Sequence, residues 1–195
     1  MAYSAKNLGG LLLLVGSLQW VLAMIVAEAR YAGYSVANNF ISDLGVDHGS
    51  ALIFNGSTLL SGVLFIIAAY LIRNEFGSRF FTISLALAGV GPLGVGVFNE
   101  SHLLIHSLFA LIAFIFGAVA PITAGVKFLK PPLSYIFVVM GAFSLFALIL
   151  FLIGFRLGIG VGGIERMIVY PNTLWIVVFG GYLMADTLSF AVSKN

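Results

Sequence analysis

The 195-residue chain contains no cysteine. That excludes disulfides, thiolate nucleophiles and sulfur-ligated metals, and leaves the compartment unread. Charge is nearly as scarce: nine basic and seven acidic side chains leave a formal net charge of +2, which does not point to a nucleic-acid partner. No haem, flavin or nucleotide motif is visible. Gly158, Gly160, Gly162 and Gly163 form a glycine-rich stretch, but it lacks the Lys-Ser/Thr ending that completes a phosphate loop.

What is present is apolar. Long uncharged runs of Leu, Phe, Ala and Gly place the chain among polytopic membrane proteins. A spanning helix needs roughly 20 mostly apolar residues. Runs near 7–29, 51–72, 80–98, 102–126, 133–154 and 168–190 meet that length. The fold expected is all-α: a six-transmembrane-helix bundle, one transmembrane domain over 1–195, with both termini cytoplasmic. Lys6 before the first run and Ala27-Glu28-Ala29 after it mimic a signal peptide. The run is longer than a cleaved apolar region of about 7–15 residues, so an uncleaved signal-anchor helix is expected.

Connections carry the polar residues. The longest, 30–50, holds Tyr31, Tyr34, Asn38, Asn39, Ser42, Asp43, Asp47 and His48. Phe40 and Ile41 lie among them, so part of it is expected to rest on the membrane as a short helix. Gly91-Pro92 implies a kink in the third span. Residues 154–166 read as a flexible glycine-rich loop, and Tyr170-Pro171-Asn172 as the start of the last span. Trp20, Trp175 and the loop tyrosines suit interface anchoring, and Asp186 an interfacial acid. With both termini inside, Lys6, Arg73, Arg79, Lys127, Lys130 and Lys194 fall inside and Arg30, Arg156 and Arg166 outside. The positive-inside rule favours that choice. Glu28, Asp43, Asp47, Glu100, Glu165 and all three histidines then share the outer half. Phe54-Asn55 and Phe98-Asn99 open similar segments, where Asn suits an N-cap.

Candidate chemistry follows from those groups. His102 and His106 are one helical turn apart, a spacing that offers two imidazoles to one divalent ion such as zinc. His48, Asp43, Glu100 or Glu165 would supply a further ligand. Asp43 and Glu100 are the acid–base candidates for a metal-activated water. Arg156 and Arg166, with Asn99 and Tyr170, are candidates for binding a lipid headgroup, since Arg meets phosphate bidentately. Each has a plainer alternative. His106 can glue helices by a hydrogen bond, Arg166 can pair with Glu165 or Asp43, Arg156 can snorkel, and Ser42 or Asp43 can cap a turn closed by Gly45.

Ile41-Ser42-Asp43-Leu44-Gly45, Phe54-Asn55, the Gly-Val-Phe-x-Glu joint at 96–100, His102, His106, Glu165-Arg166-Met167 and Tyr170-Pro171 together resemble a prokaryotic integral membrane family of unknown function (the DUF998 type), grouped with the Frag/DRAM/Sfk membrane proteins. The resemblance covers nearly the whole chain. Phe40 stands where the wider group commonly has Pro. The resemblance implies about six spans and, by analogy with eukaryotic relatives, lipid-anchor remodelling on the lumenal side, which corresponds to the outer face here; it implies no agreed catalytic residues. The reading is a cell-membrane protein with an extracytoplasmic polar pocket for lipid headgroups, extending to a metal-dependent lipid hydrolase or remodelling enzyme. Its rivals are a non-catalytic structural or assembly subunit whose polar cap docks a partner subunit or, as a homo-oligomer, a second copy of the chain, with Gly62, Gly89, Gly141 and Ser144 packing helices, and a transporter of a small neutral solute.

Overall fold

The computed structural model describes residues 4–46 and 49–192, with side chains to 185. Six helices carry the chain: α1 Ala5–Arg30, α2 Ala51–Leu71, α3 Arg79–Val97, α4 Leu103–Lys127, α5 Leu133–Leu152 and α6 Gly160–Val192. All six have spans long and apolar enough to cross a bilayer, and no strand occurs among the described residues. The protein is therefore a multi-pass membrane protein. Local signals set most of the boundaries. Ser4 Oγ accepts the Asn7 N–H at 3.1 Å to start α1, and Ser78 Oγ accepts the Phe81 N–H at 3.3 Å to start α3. Arg30 and Lys127 sit in the last turns of α1 and α4, where the helix dipole favours a cation.

Each helix packs on the next, α6 returns to α1, and α4 also touches α6. The polarity of the bundle suits lipid. Leu52, Leu104, Val126 and Ile153 face outward, while Ser17, Thr58, Ser61, Ser84, Ser144 and Asn172 are buried. Lipid tails are as apolar as leucine, so association relies on close backbone approach and interhelical hydrogen bonds. Gly62 lies against the backbone of Gly89 and Leu93, and Gly10 against Gly180. Gly141 faces the Ala118 carbonyl, and Ser144 Oγ donates to the Ile168 carbonyl at 3.1 Å. These small residues thus pack helices within one chain. The contact between Gly10 and Gly180, Leu183 also sets the start of α1 beside the later part of α6.

Three expectations change here. The sixth helix starts at Gly160, so Glu165, Arg166 and Pro171 are helical. Gly160 has φ +79°, and Gly160 and Gly162 let the Ala37 and Asn39 carbonyls press on the first turn. The Gly162 N–H donates to Ala37 O at 3.0 Å. The glycines thus serve a backbone contact, and loop carbonyls meet an N–H that the helix itself leaves open. Secondly, Ser42–Gly45 forms a short 3-10 helix, yet Ile41 and Leu44 point into the bundle against Trp20, Met24 and Phe54. Thirdly, both tryptophans are interior. Trp20 donates to Thr58 Oγ1 at 3.0 Å and Trp175 to the Gly117 carbonyl at 2.8 Å. An indole N–H among packed helices takes such a partner as readily as one at the interface.

The seam between α2 and α3 is the test of this packing. Gly62→Ala puts a methyl group against backbone and is expected to cost about 1–3 kcal/mol. Gly56→Ala, whose new methyl group meets nothing within 4 Å, leaves the thermal midpoint in detergent unchanged or slightly raised.

Candidate functional site

Residues 31–46 fold over one end of the bundle and are fastened there by polar side chains. Arg166 is the chief fastening. It is 5% exposed, and its Nη2 meets Glu28 Oε1 at 2.6 Å and the Tyr34 hydroxyl at 2.7 Å. Its Nη1 donates to the Val36 and Gly162 carbonyls, both at 3.1 Å. The Tyr34 hydroxyl donates to the Phe40 carbonyl at 3.1 Å. Burial pushes the Tyr34 phenol up to about 12, against the opposing pull of Arg166. The partner of Arg166 is thus Glu28, at the end of α1, rather than Glu165 or Asp43.

The carboxyl groups gather around the 3-10 turn. Asp43 Oδ2 accepts from Asn39 Nδ2 at 2.8 Å and from the Phe40 N–H at 3.0 Å. Buried Glu165 accepts the Ile41 N–H at 2.5 Å. Glu100 accepts the Ser42 hydroxyl and lies within interaction range of Asp43. The two acid–base candidates are therefore together, and Glu165 joins them across the turn. Asn55 and Asn99 converge as well: both amides donate to the Gly45 carbonyl, at 2.8 and 3.2 Å. Asn99 also caps the 3-10 turn Glu100–His102 by accepting the Ser101 N–H at 3.1 Å. Asn55 lies inside α2 and caps nothing; its counterpart in α6, Asn172, is likewise interior.

The histidines separate. His106 is buried, with Nδ1 2.8 Å from the Phe98 carbonyl. His102 is exposed beside the Phe98 ring, because it belongs to the 3-10 turn before α4 begins. His48 lies outside the described residues. Among the described residues, no three His, Cys, Asp or Glu side chains converge as a metal site. Arg156 turns back on α5, donating to the Phe151 carbonyl at 3.2 Å with its guanidinium 5.5 Å from the Phe151 ring centroid. Tyr170 is on the outer side of α6, 40% exposed, on a groove that Arg166 and Met167 also line.

Below this cap lies a chamber of about 120 Å³. Glu165, His106 and Ser42 line its upper part. Trp20, Thr58, Pro92, Ala113 and Asn172 line the rest, so that α1, α2, α3, α4 and α6 contribute and α5 does not. Past Phe65 and Ile176 the interior is filled by Phe76, Phe81, Phe128, Phe137 and Phe179, packed ring against ring. No sequence motif marks the pairing of Glu28 and Tyr34 with Arg166, nor the chamber. A usable signal was present in Ser57, Thr58 and Ser61, three hydroxyls on one apolar helix.

Glu28→Gln leaves a buried guanidinium without its counter-charge and is expected to cost about 3–5 kcal/mol. Tyr34→Phe removes two hydrogen bonds, one from the Arg166 guanidinium and one to the Phe40 carbonyl, about 2–4 kcal/mol together, and Arg156→Gln stays within about 0.5 kcal/mol. Thermal unfolding in detergent gives this order, and protease cleavage in the 31–46 segment rises in the same order.

Neither a curated protein nor a solved structure matches this chain. Residues 14–182, from the middle of α1 to the later turns of α6, match the family described as a protein of unknown function (DUF998), and the chain belongs to that family.

Proposed function

We propose that this protein sits in the cell membrane with its cap on the extracytoplasmic side and binds an amphipathic membrane molecule, the apolar part entering the chamber and the polar head meeting the cap. The observation that carries this reading is a mostly apolar chamber whose lining also includes the polar Ser42, His106 and Glu165, next to the cap. The volume is a fraction of a whole lipid, so the chamber takes the portion next to the head and the remainder stays in the bilayer. The basic residues support the orientation, because Lys6, Arg73, Arg79, Lys127 and Lys130 lie away from the cap.

The head chemistry follows from the cap. Four N–H groups of Arg166 already serve Glu28, Tyr34 and two carbonyls, which leaves Arg156 as the phosphate contact and Asn99 as a further polar group of the cap; Tyr170, on the outer groove of α6, would reach a lipid only from that side. The acids Asp43, Glu100 and Glu165 favour a head that donates hydrogen bonds. Hydrolysis of such a lipid would use Asp43 or Glu100 as the base. A zinc-assisted version would draw on His106 with His102 or His48; for His102 it needs the turn Glu100–His102 to rearrange so that the two imidazoles meet.

Trp20 lines the chamber and provides the test. In a Trp175→Phe background, a phospholipid brominated near its head is expected to quench Trp20 saturably. Val169→Phe, which fills the chamber, weakens that effect by about tenfold. Equal quenching in both proteins would place the lipid outside the bundle and end this reading.

A further inference from the structure

Most of the polar wall of the chamber is satisfied by the protein. Thr58 Oγ1 donates to the Phe54 carbonyl at 2.7 Å and accepts from Trp20 at 3.0 Å. Ser61 Oγ donates to the Gly16 carbonyl at 2.7 Å and accepts from Gln19 at 2.6 Å. Two atoms differ. Asn172, 9% exposed, commits its Nδ2 to the Phe114 carbonyl at 3.3 Å, and no described protein group donates to its Oδ1. Ser17, fully buried, has an Oγ that no described protein group pairs with. Both residues line the same chamber, one from α6 and one from α1, helices that pack on each other.

We infer that the molecule bound in the chamber carries a hydroxyl group below its head, donated to Asn172 Oδ1 and shared with the Ser17 hydroxyl. An amide oxygen is an acceptor only, so its partner must be a donor. Both groups are neutral and set among Phe, Val and Ile side chains, where a buried ammonium would be costly and a hydroxyl is not. The size agrees. A chamber of about 120 Å³ is a little smaller than an apolar cavity of about 150 Å³ that takes benzene, enough for a hydroxyl and a short run of carbons. The ligand class is thus a hydroxylated amphiphile, an alcohol whose oxygen lies inside the bundle rather than at the membrane surface.

This inference rests on the chamber being the ligand site, and a matched pair of small probes separates the two claims. Bromopropanol and bromopropane differ by the hydroxyl, and bromine quenches Trp20 in the Trp175→Phe background. The alcohol is expected to quench saturably, with bromopropane about tenfold weaker after correction for micelle partition. Ser17→Ala and Asn172→Leu each bring the alcohol down to the level of bromopropane and leave bromopropane unchanged. Ser17→Ala removes one oxygen and adds no bulk, so it decides the matter even where Asn172→Leu fails to fold. Equal saturable quenching by both probes, unaffected by either variant, would overturn the hydroxyl and leave the chamber as an apolar site. Absence of saturable quenching by both, with water alone occupying the chamber, would overturn the hydroxyl and the chamber reading together.

Discussion

A guanidinium cannot be left alone inside a membrane bundle, and the cap is built around that constraint. Arg166 sits in the first turns of α6, nearly out of contact with solvent. Its charge is met by Glu28 from the end of α1, and its remaining terminal N–H groups by a tyrosine and two carbonyls. The desolvation cost of such a pair is large, so its worth lies less in net stability than in geometry. It joins the first helix, the long connection and the last helix at one point. The glycines before it serve the same end, since side chains at 160 or 162 would push the connection off the helix.

Once the connection is fixed, the acids follow. Ile41 and Leu44 fill the top of the bundle, which turns Ser42 and Asp43 toward Glu100 and brings the Ile41 amide onto Glu165. Asn55 and Asn99, one from each of two similar segments, hold the far side of the turn through a single carbonyl. Gly45 is needed there because a β-carbon would strike Asn55 Oδ1. The short motif Ile41–Gly45 is thus a structural keystone as well as a source of polar groups.

The spans were legible because hydrophobic length is a strong signal, and five of the six helices begin and end within two residues of where the sequence places them. The sixth misled through its glycines. Gly158 to Gly163 read as flexible chain, yet most of them open a helix whose carbonyl neighbours come from far along the sequence. The site was legible in part. Asp43 and Glu100 do meet, but Glu28 was hidden in what looked like a cleavage signal. A spacing of four puts His102 and His106 on one face only where both are in one α-helix, and the short 3-10 turn Glu100–His102 undoes that. Tyr170-Pro171-Asn172 suggests a helix start because proline suits one, yet all three lie inside α6, where a proline is tolerated in a membrane helix when neighbours satisfy the freed carbonyl.

The packed phenylalanines beneath the chamber have a further consequence. Phe76, Phe81, Phe128, Phe137 and Phe179 come from α3, α5, α6 and two connections, so no single rotamer change clears a way through them. The chamber is a cul-de-sac. On the reading proposed above, whatever enters from the cap end must leave by it, so exchange would be with one leaflet only.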